Sequence, residues 1–258
     1  MPELRARTLS KHFSGITAVR HVDFTLRPGE IVGYLGPNGS GKTTTVRMLA
    51  GLLEPSSGRV EYGGRRVDED PVAYRRELGY VPEEPFLYPF LSGREYLELI
   101  GRLREIPEPL LAMKIDGFLG LFGLREAADQ AIASYSKGMR QKIVISSALM
   151  HDPAVLLFDE PESGLDVTTT LVLRHLVRTL AARGRAIMYS SHILEVVERV
   201  CAKVIILHEG TVVADDSVDR LRTLLSRTSL EGVFSQLVIK GDPEQVARDL
   251  ADVTALGA

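Results

Sequence analysis

The sequence contains one cysteine and no tryptophan, and no apolar run approaches the roughly 20 residues a helix needs to cross a bilayer. A lone thiol, Cys201, cannot close an internal disulfide or supply a metal cluster, so nothing marks an oxidising compartment, and the residue fits a small buried position. The amino terminus, Met1-Pro2-Glu3-Leu4-Arg5, lacks the apolar core of a signal peptide. A basic surplus is missing too. Lys and Arg number 31 against 34 Asp and Glu, a net charge of −3 with a pI near 6.1, which argues against nucleic acid as the main partner. The expected place is the cytoplasm, with any membrane role exercised through a partner. What the chain does have is 45% hydrophobic residues over 258 positions, enough for one large domain or a core with a small satellite.

The strongest local pattern is Gly36-Pro37-Asn38-Gly39-Ser40-Gly41-Lys42-Thr43-Thr44, with both glycines, the lysine and the threonine at the spacing of a phosphate-binding loop. The glycines let successive backbone N–H groups turn inward around a polyphosphate. Lys42 brings a point charge to the outer phosphates, and the Thr43 hydroxyl can ligate Mg²⁺. The flanks agree: Ile31 to Leu35 predicts a buried strand leading in, and Thr43 to Ala50 a helix that stops at Gly51. Such a helix aims its free N–H groups and positive dipole end at the anion.

Along the rest of the chain, Leu4 to Leu9 and Val19 to Leu26 alternate apolar and polar residues, as half-exposed antiparallel strands do, with Pro28-Gly29 as a turn. Between them Phe13 is placed either to stack on a purine base or to pack. Arg59 to Tyr62 and Leu78 to Val81 predict further strands of a mixed sheet. From Ser92 to about Met150 the apolar spacing turns helical, which predicts an inserted helical subdomain whose last helix starts after Tyr135 with Ser136 as N-cap. That start is either a second anion site, with Gly138 allowing close approach, or a capped helix and nothing more. Ala154 to Phe158 is an unbroken apolar strand ending in Asp159-Glu160, acids at the sheet edge where α/β folds bind ligands. Asp159 is placed to hold Mg²⁺ through water, and Glu160 to orient or deprotonate an attacking water. Ser163 to Asp166 makes a turn, Val167 to Arg183 a helix and Ala186 to Ser190 another buried strand. His192 follows it and either meets the terminal phosphate or caps a helix. Pro85-Phe86-Leu87-Tyr88-Pro89-Phe90 either belongs to the core of the helical insertion or lines a groove for a partner's helix. Paired arginines such as Arg65-Arg66 are expected at the solvated surface. The tail predicts helices at Val218 to Leu225, Leu230 to Leu237 and Pro243 to Leu250, covering the sheet or packing on a partner.

In order, Phe13, the Gly36 to Thr44 loop, Tyr80-Val81-Pro82-Glu83, Tyr135-Ser136-Lys137-Gly138-Met139, Leu156 to Pro161, Ser163 to Asp166 and His192 resemble the motifs of the ATPase subunits of ABC transporters. Those motifs are the adenine-stacking residue, phosphate loop, glutamine loop, signature, magnesium strand with catalytic glutamate, dimer-contact loop and switch histidine. The resemblance covers about residues 3 to 215, and the signature is similar to that of exporter-type subunits whose membrane subunit is a separate chain. It implies an α/β, P-loop NTPase core with a mixed sheet, an antiparallel β subdomain and the inserted helical subdomain at about 92–150. The ATP-binding domain would span 1–217 and a carboxyl-terminal extension 218–258. It also implies ATP and Mg²⁺ as cofactors and Mg²⁺-dependent hydrolysis. The unit would be a head-to-tail pair of ATPase subunits, the same chain twice, in which Ser136, Lys137, Gly138 and Asp166 of one copy complete the site of the other. An integral membrane subunit would hold the pair at the cytoplasmic face of the cell membrane.

The sequence departs from the family pattern at Lys137 and Met139, where glycine and glutamine are usual, and at Glu83, where an amide usually meets Mg²⁺ and water. Glu162 and Val167 replace threonine and proline beside the dimer-contact loop. A non-transport ATPase of the same superfamily, acting on a soluble or nucleic-acid partner, is the alternative. The long heptad arms or tandem cassettes of such proteins are not seen.

Overall fold

In the computed structural model, residues 1–224, 229–238 and 248 are described. The expected antiparallel pair is present and longer than its alternation suggested: β1 (Leu4–Phe13) pairs with β2 (Ile16–Leu26), and beyond β1 lie β4 (Ser57–Tyr62) and the two-residue β5 (Arg65–Arg66), giving the order β2-β1-β4-β5. The arginine pair thus forms an edge strand as well as an exposed surface.

The second sheet carries β3 (Ile31–Leu35), β6 (Leu78–Val81), β7 (Val155–Asp159), β8 (Ala186–Ser190), β9 (Lys203–His208) and β10 (Thr211–Ser217), in the order β10-β9-β3-β8-β7-β6. All its pairings are parallel except β9 with β10, so the sheet is mixed, as predicted. Its central strands are apolar at nearly every position because they serve two cores. Val32, Tyr34, Leu157 and Met188 face the small antiparallel sheet and α1 (Lys42–Leu49), while Leu35, Leu156, Phe158, Ile187 and Tyr189 face the helices on the other side. A period of two with both faces covered yields a continuous hydrophobic run.

Helix α2 (Pro71–Glu77), capped by Asp70, was not foreseen, since seven residues with one buried side chain, Tyr74, carry too short a pattern. The helical region holds α3 (Gly93–Leu103), α4 (Glu108–Leu121) and α5 (Lys137–Leu149). A full capping box opens α3: the Ser92 hydroxyl accepts from Glu95 N at 3.2 Å and the Glu95 carboxylate accepts from Ser92 N at 2.7 Å. Leu111, Ile115 and Leu119 of α4 are buried at i, i+4, i+8. Of the apolar segment before α3, Leu87 packs into this core, but Phe86 and Phe90 are 90% and 75% exposed, so the segment as a whole is not core.

After β7 come α6 (Val167–Ala182) and, past β8, α7 (Leu194–Val200). Cys201 follows α7 and is buried, with its thiol pushed up by desolvation. In the tail, α8 (Val218–Leu224) and α9 (Leu230–Val238) match the expected helices and pack into the main core through Val218, Leu221, Leu230, Val233 and Val238. The third tail helix, Pro243 to Leu250, lies outside the described residues apart from Arg248. Among the described residues no helix is long and apolar enough to cross a membrane.

Candidate active site

Register brings the site together. Asp159 pairs with Ser190 and Tyr34 with Ser190 across adjacent parallel strands, and Val81 pairs with Phe158. The chain therefore leaves β3, β6, β7 and β8 at one edge, and the loops emerging there meet in one crevice. That crevice has a volume of about 670 Å³ and is lined by Ala18, Gly36, Pro37, Asn38, Gly39, Gly41, Lys42, Thr43, Thr44, Glu83, Asp159, Glu160, His192 and Phe234.

The phosphate loop has the backbone that its glycines were expected to permit. Gly41 caps α1 at φ 101°, and a Cβ there would stand 2.4 Å from the Ala18 carbonyl oxygen. Gly36 is closed in by the Leu207 carbonyl and the Ser40 hydroxyl. Ser40 turns beneath the loop, 3% exposed, and does not line the crevice. Lys42 is buried, and its Nζ donates to Gly36 O at 2.7 Å and Pro37 O at 3.2 Å, carbonyls that hold the ammonium over the loop. Burial pulls its pKa down, while Glu160, Asp159 and Glu83 push back.

Asp159 is 1% exposed, and neither carboxylate oxygen has a hydrogen-bond partner. Desolvation raises its pKa; the nearby Ser190 and Thr43 hydroxyls oppose this, and Glu83 and Glu160 add to it. Three carboxylates thus face one ammonium, and a polyphosphate would add further negative charge. A hard divalent cation fits this donor set. Among the described residues no group of three His, Cys, Asp or Glu side chains is placed to hold a metal ion by itself.

At Glu160 the strand breaks into a left-handed residue, φ 49°, with Glu160 N donating to Ser190 O at 3.1 Å. A non-glycine residue held there costs on the order of 1 kcal/mol, and the turn swings the side chain out of the strand's alternation into the crevice. Its Oε2 lies 2.9 Å from His192 Nδ1. With Nδ1 protonated the imidazole donates to the carboxylate, which leaves Nε2 as the other ring nitrogen for a ligand.

Not every expected residue is here. Phe13 sits at the end of β1, 43% exposed, with Lys11 Nζ 5.3 Å from its ring centroid, and is not part of the wall. Ser136, Lys137, Gly138 and Asp166 lie outside it too. Ser136 is the N-cap of α5 and accepts from Met139 N at 3.2 Å. Gly138 is glycine for a reason inside its own chain, because a Cβ would stand 2.5 Å from the Gly164 carbonyl oxygen. Asp166 caps α6, accepting from Thr169 N at 2.8 Å and Thr169 Oγ1 at 2.6 Å, and these bonds hold its pKa down at about 2.

Sequence reasoning missed two contributors. Buried Gln141 of α5 donates to Pro161 O at 3.1 Å. The Glu162 carboxylate accepts from Arg174 Nε at 2.8 Å and Nη2 at 2.9 Å, and from the Tyr189 hydroxyl at 2.6 Å. The loop from Glu160 to Asp166 is therefore tied to α5, α6 and β8 together. An acid at 162, an arginine twelve residues on along α6 and a tyrosine inside an apolar strand were the available signals.

The sequence pattern of the family described as ABC transporter matches residues 19–163. The chain belongs to that family. Among relatives, the ABC transporter ATP-binding protein NatA of Bacillus subtilis is 36% identical over 227 residues, 88% of this chain and 92% of NatA. The linearmycin resistance ATP-binding protein LnrL of the same organism is 34% identical over 211 residues, 82% of this chain and 68% of LnrL. A solved ATP-binding subunit of an ABC transporter superposes with a TM-score of 0.85 at 33% identity, covering 91% of this chain and 98% of that one. The cassette MJ0796, solved as a dimer in a post-hydrolysis state with ADP and Pi, shares the fold at a TM-score of 0.76 and 23% identity, over 83% of this chain and 98% of that one. This ABC cassette has the P-loop NTPase fold, binds ATP and is an ATPase.

Proposed function

We propose that the cassette powers export through a separate membrane-spanning subunit, working as a head-to-tail pair of identical chains at the cytoplasmic face of the cell membrane. In this reading residues 1–217 form the ATP-binding domain, with 92–150 as its helical insertion and 218–258 as an extension. Thr43, Asp159 and Glu83 would hold Mg²⁺. Bound Mg²⁺ neutralises the phosphates and the carboxylates around it. Glu160 orients and deprotonates the attacking water, and Lys42 and His192 meet the outer phosphates. Ser136, Lys137, Gly138 and Asp166 serve the partner chain's site, and Phe13 meets the adenine. The name of LnrL, a resistance protein, supports the export direction.

The observation that carries the transport reading is a second cleft of about 650 Å³ that shares Thr43, Glu83 and Asp159 with the nucleotide crevice and is otherwise walled by side chains such as Arg47, Leu52, Tyr80, Phe86 and Tyr96. An apolar helix seated there touches the residues nearest the metal, so its motion and the nucleotide's state are coupled through shared atoms. Phe86, nearly fully exposed, is the natural anchor for it. The test is recovery of a membrane partner. The affinity-tagged chain, solubilised from its own cell membranes, should retain an integral membrane protein, and Phe86→Asp should cut that recovery at least about tenfold without altering ATP affinity. Recovery of water-soluble partners alone would overturn the reading.

A further inference from the structure

The wall of the nucleotide crevice includes one residue from far outside the motif-bearing part of the chain. Phe234 belongs to α9, and it lines the crevice together with Lys42, Glu160 and His192. Its position results from how α9 is docked. Leu230, Val233, Phe234, Leu237 and Val238 recur at i, i+3, i+4, i+7 and i+8, a single apolar face. Leu230 and Val233 are completely buried, and they share a core with Val196, Val197 and Val200 of α7. Helix α9 contacts both α7 and α8, and α7 begins two residues after His192. Docking on α7 therefore carries residue 234, next to the buried Val233, to the His192 side of the crevice, where its ring is half-buried.

We propose that Phe234 is a nucleotide-contacting wall residue, through which the carboxyl-terminal extension reads whether ATP is bound. The proposal rests on the Gly36 to Thr44 crevice being the ATP site. The rest of that wall is mostly backbone amides, one ammonium and carboxylates, groups that water competes for. An aromatic ring beside them excludes water from one flank and strengthens the attraction between Lys42 and phosphate by lowering the local dielectric. Reciprocity is then required: if the ring favours bound ATP, bound ATP favours the docked position of α9 by the same factor.

The absence of tryptophan from the chain gives the test a clean probe, since Phe234→Trp installs a single indole in the wall. In Glu160→Gln chains, MgATP titration should shift the emission of that indole with a midpoint equal to the dissociation constant found by calorimetry. A reference indole introduced by Leu224→Trp, at a position 65% exposed on α8, should stay silent. Phe234→Leu, which keeps an apolar side chain on the stripe, should raise the Kd for ATP about three- to tenfold with the melting temperature nearly unchanged. A silent indole in the Phe234→Trp chain, with ATP binding intact by calorimetry, overturns the proposal and leaves the ATP site standing, and so does an equal response from both indoles. Unchanged ATP affinity in Phe234→Leu overturns it as well, including the case in which the tryptophan chain fails to fold. Absence of ATP binding in the parent chain overturns the site reading and this proposal with it.

Discussion

Asp159 is a carboxylate the fold holds at a cost. Buried and without a hydrogen-bond partner on either oxygen, it ionises less readily folded than unfolded. Between the ordinary carboxylate pKa and its raised folded value the native chain holds more protons than the unfolded one, so stability falls as pH rises through that window, and the penalty is complete above it. Asp159→Asn removes the charge while keeping the shape. In EDTA at pH 7 the variant should melt above the parent by circular dichroism, and the gap should shrink as pH falls toward about 4. Under the proposed role of Asp159 in holding Mg²⁺, excess MgATP should reverse the order, since a carboxylate binds the cation more strongly than a neutral amide. An asparagine chain that melts lower than the parent in EDTA at pH 7 would show that some other group bears the strain of the site. Neighbouring Glu160 takes a different course. Its left-handed backbone turns it out of the strand to His192, so two acids adjacent in sequence end in different surroundings.

At the scale of elements, the loop from Glu160 to Asp166 depends on anchors around it. The Glu162 pair with Arg174 is bidentate, both side chains are under 20% exposed, and the Tyr189 hydroxyl completes it. Tyr189 is raised by desolvation first and then by Glu162, and so remains a donor. Glu162→Ala leaves a guanidinium with little water and no partner. It should cost about 2 kcal/mol, lowering the melting temperature by roughly 4–8 °C. Arg174→Met in the same chain should recover part of that loss, since the uncompensated charge goes with it, and strict additivity in the double-mutant cycle would dissolve the pair as an energetic unit. This anchor illustrates what a sequence shows and hides. The phosphate loop was legible because its chemistry is local and fixes its own spacing, and β7 was legible because two covered faces demand an unbroken apolar run. The Ser136 cap could be read from one hydroxyl before a helical period. Glu162 reads only as a departure beside the dimer-contact loop until α6 and β8 are folded against it. Phe234 reads as one more apolar residue on an amphipathic stripe until α9 docks on α7. Phe13 stands at the exposed end of the hairpin, where its spacing alone does not separate stacking from packing.

For the whole molecule, the positions of Ser136 and Lys42 set the arrangement of a pair. Ser136 caps a helix that is absent from the crevice of its own chain, and that crevice is open to solvent. Mixing Lys42→Ala chains with Ser136→Arg chains, each inactive alone, should restore a measurable fraction of the hydrolysis of the parent, because half-and-half dimers contain one intact composite site. Glu160→Gln chains, turning over at least about a hundredfold more slowly with ATP binding kept, should sediment as dimers only when ATP is present. Neither rescue nor an ATP-dependent dimer would mean that each chain works by itself. The contact of Gly138 with the Gly164 carbonyl then acquires a meaning beyond packing. It joins the start of α5, which in the proposed pair faces the neighbour, to the loop that follows Glu160. In the proposed pair each chain would be a lever with its two arms on different nucleotides, and a displacement at one end would arrive at the other as a change of grip. A single methyl group added at Gly138 would meet the Gly164 carbonyl oxygen at 2.5 Å and prise the two arms apart.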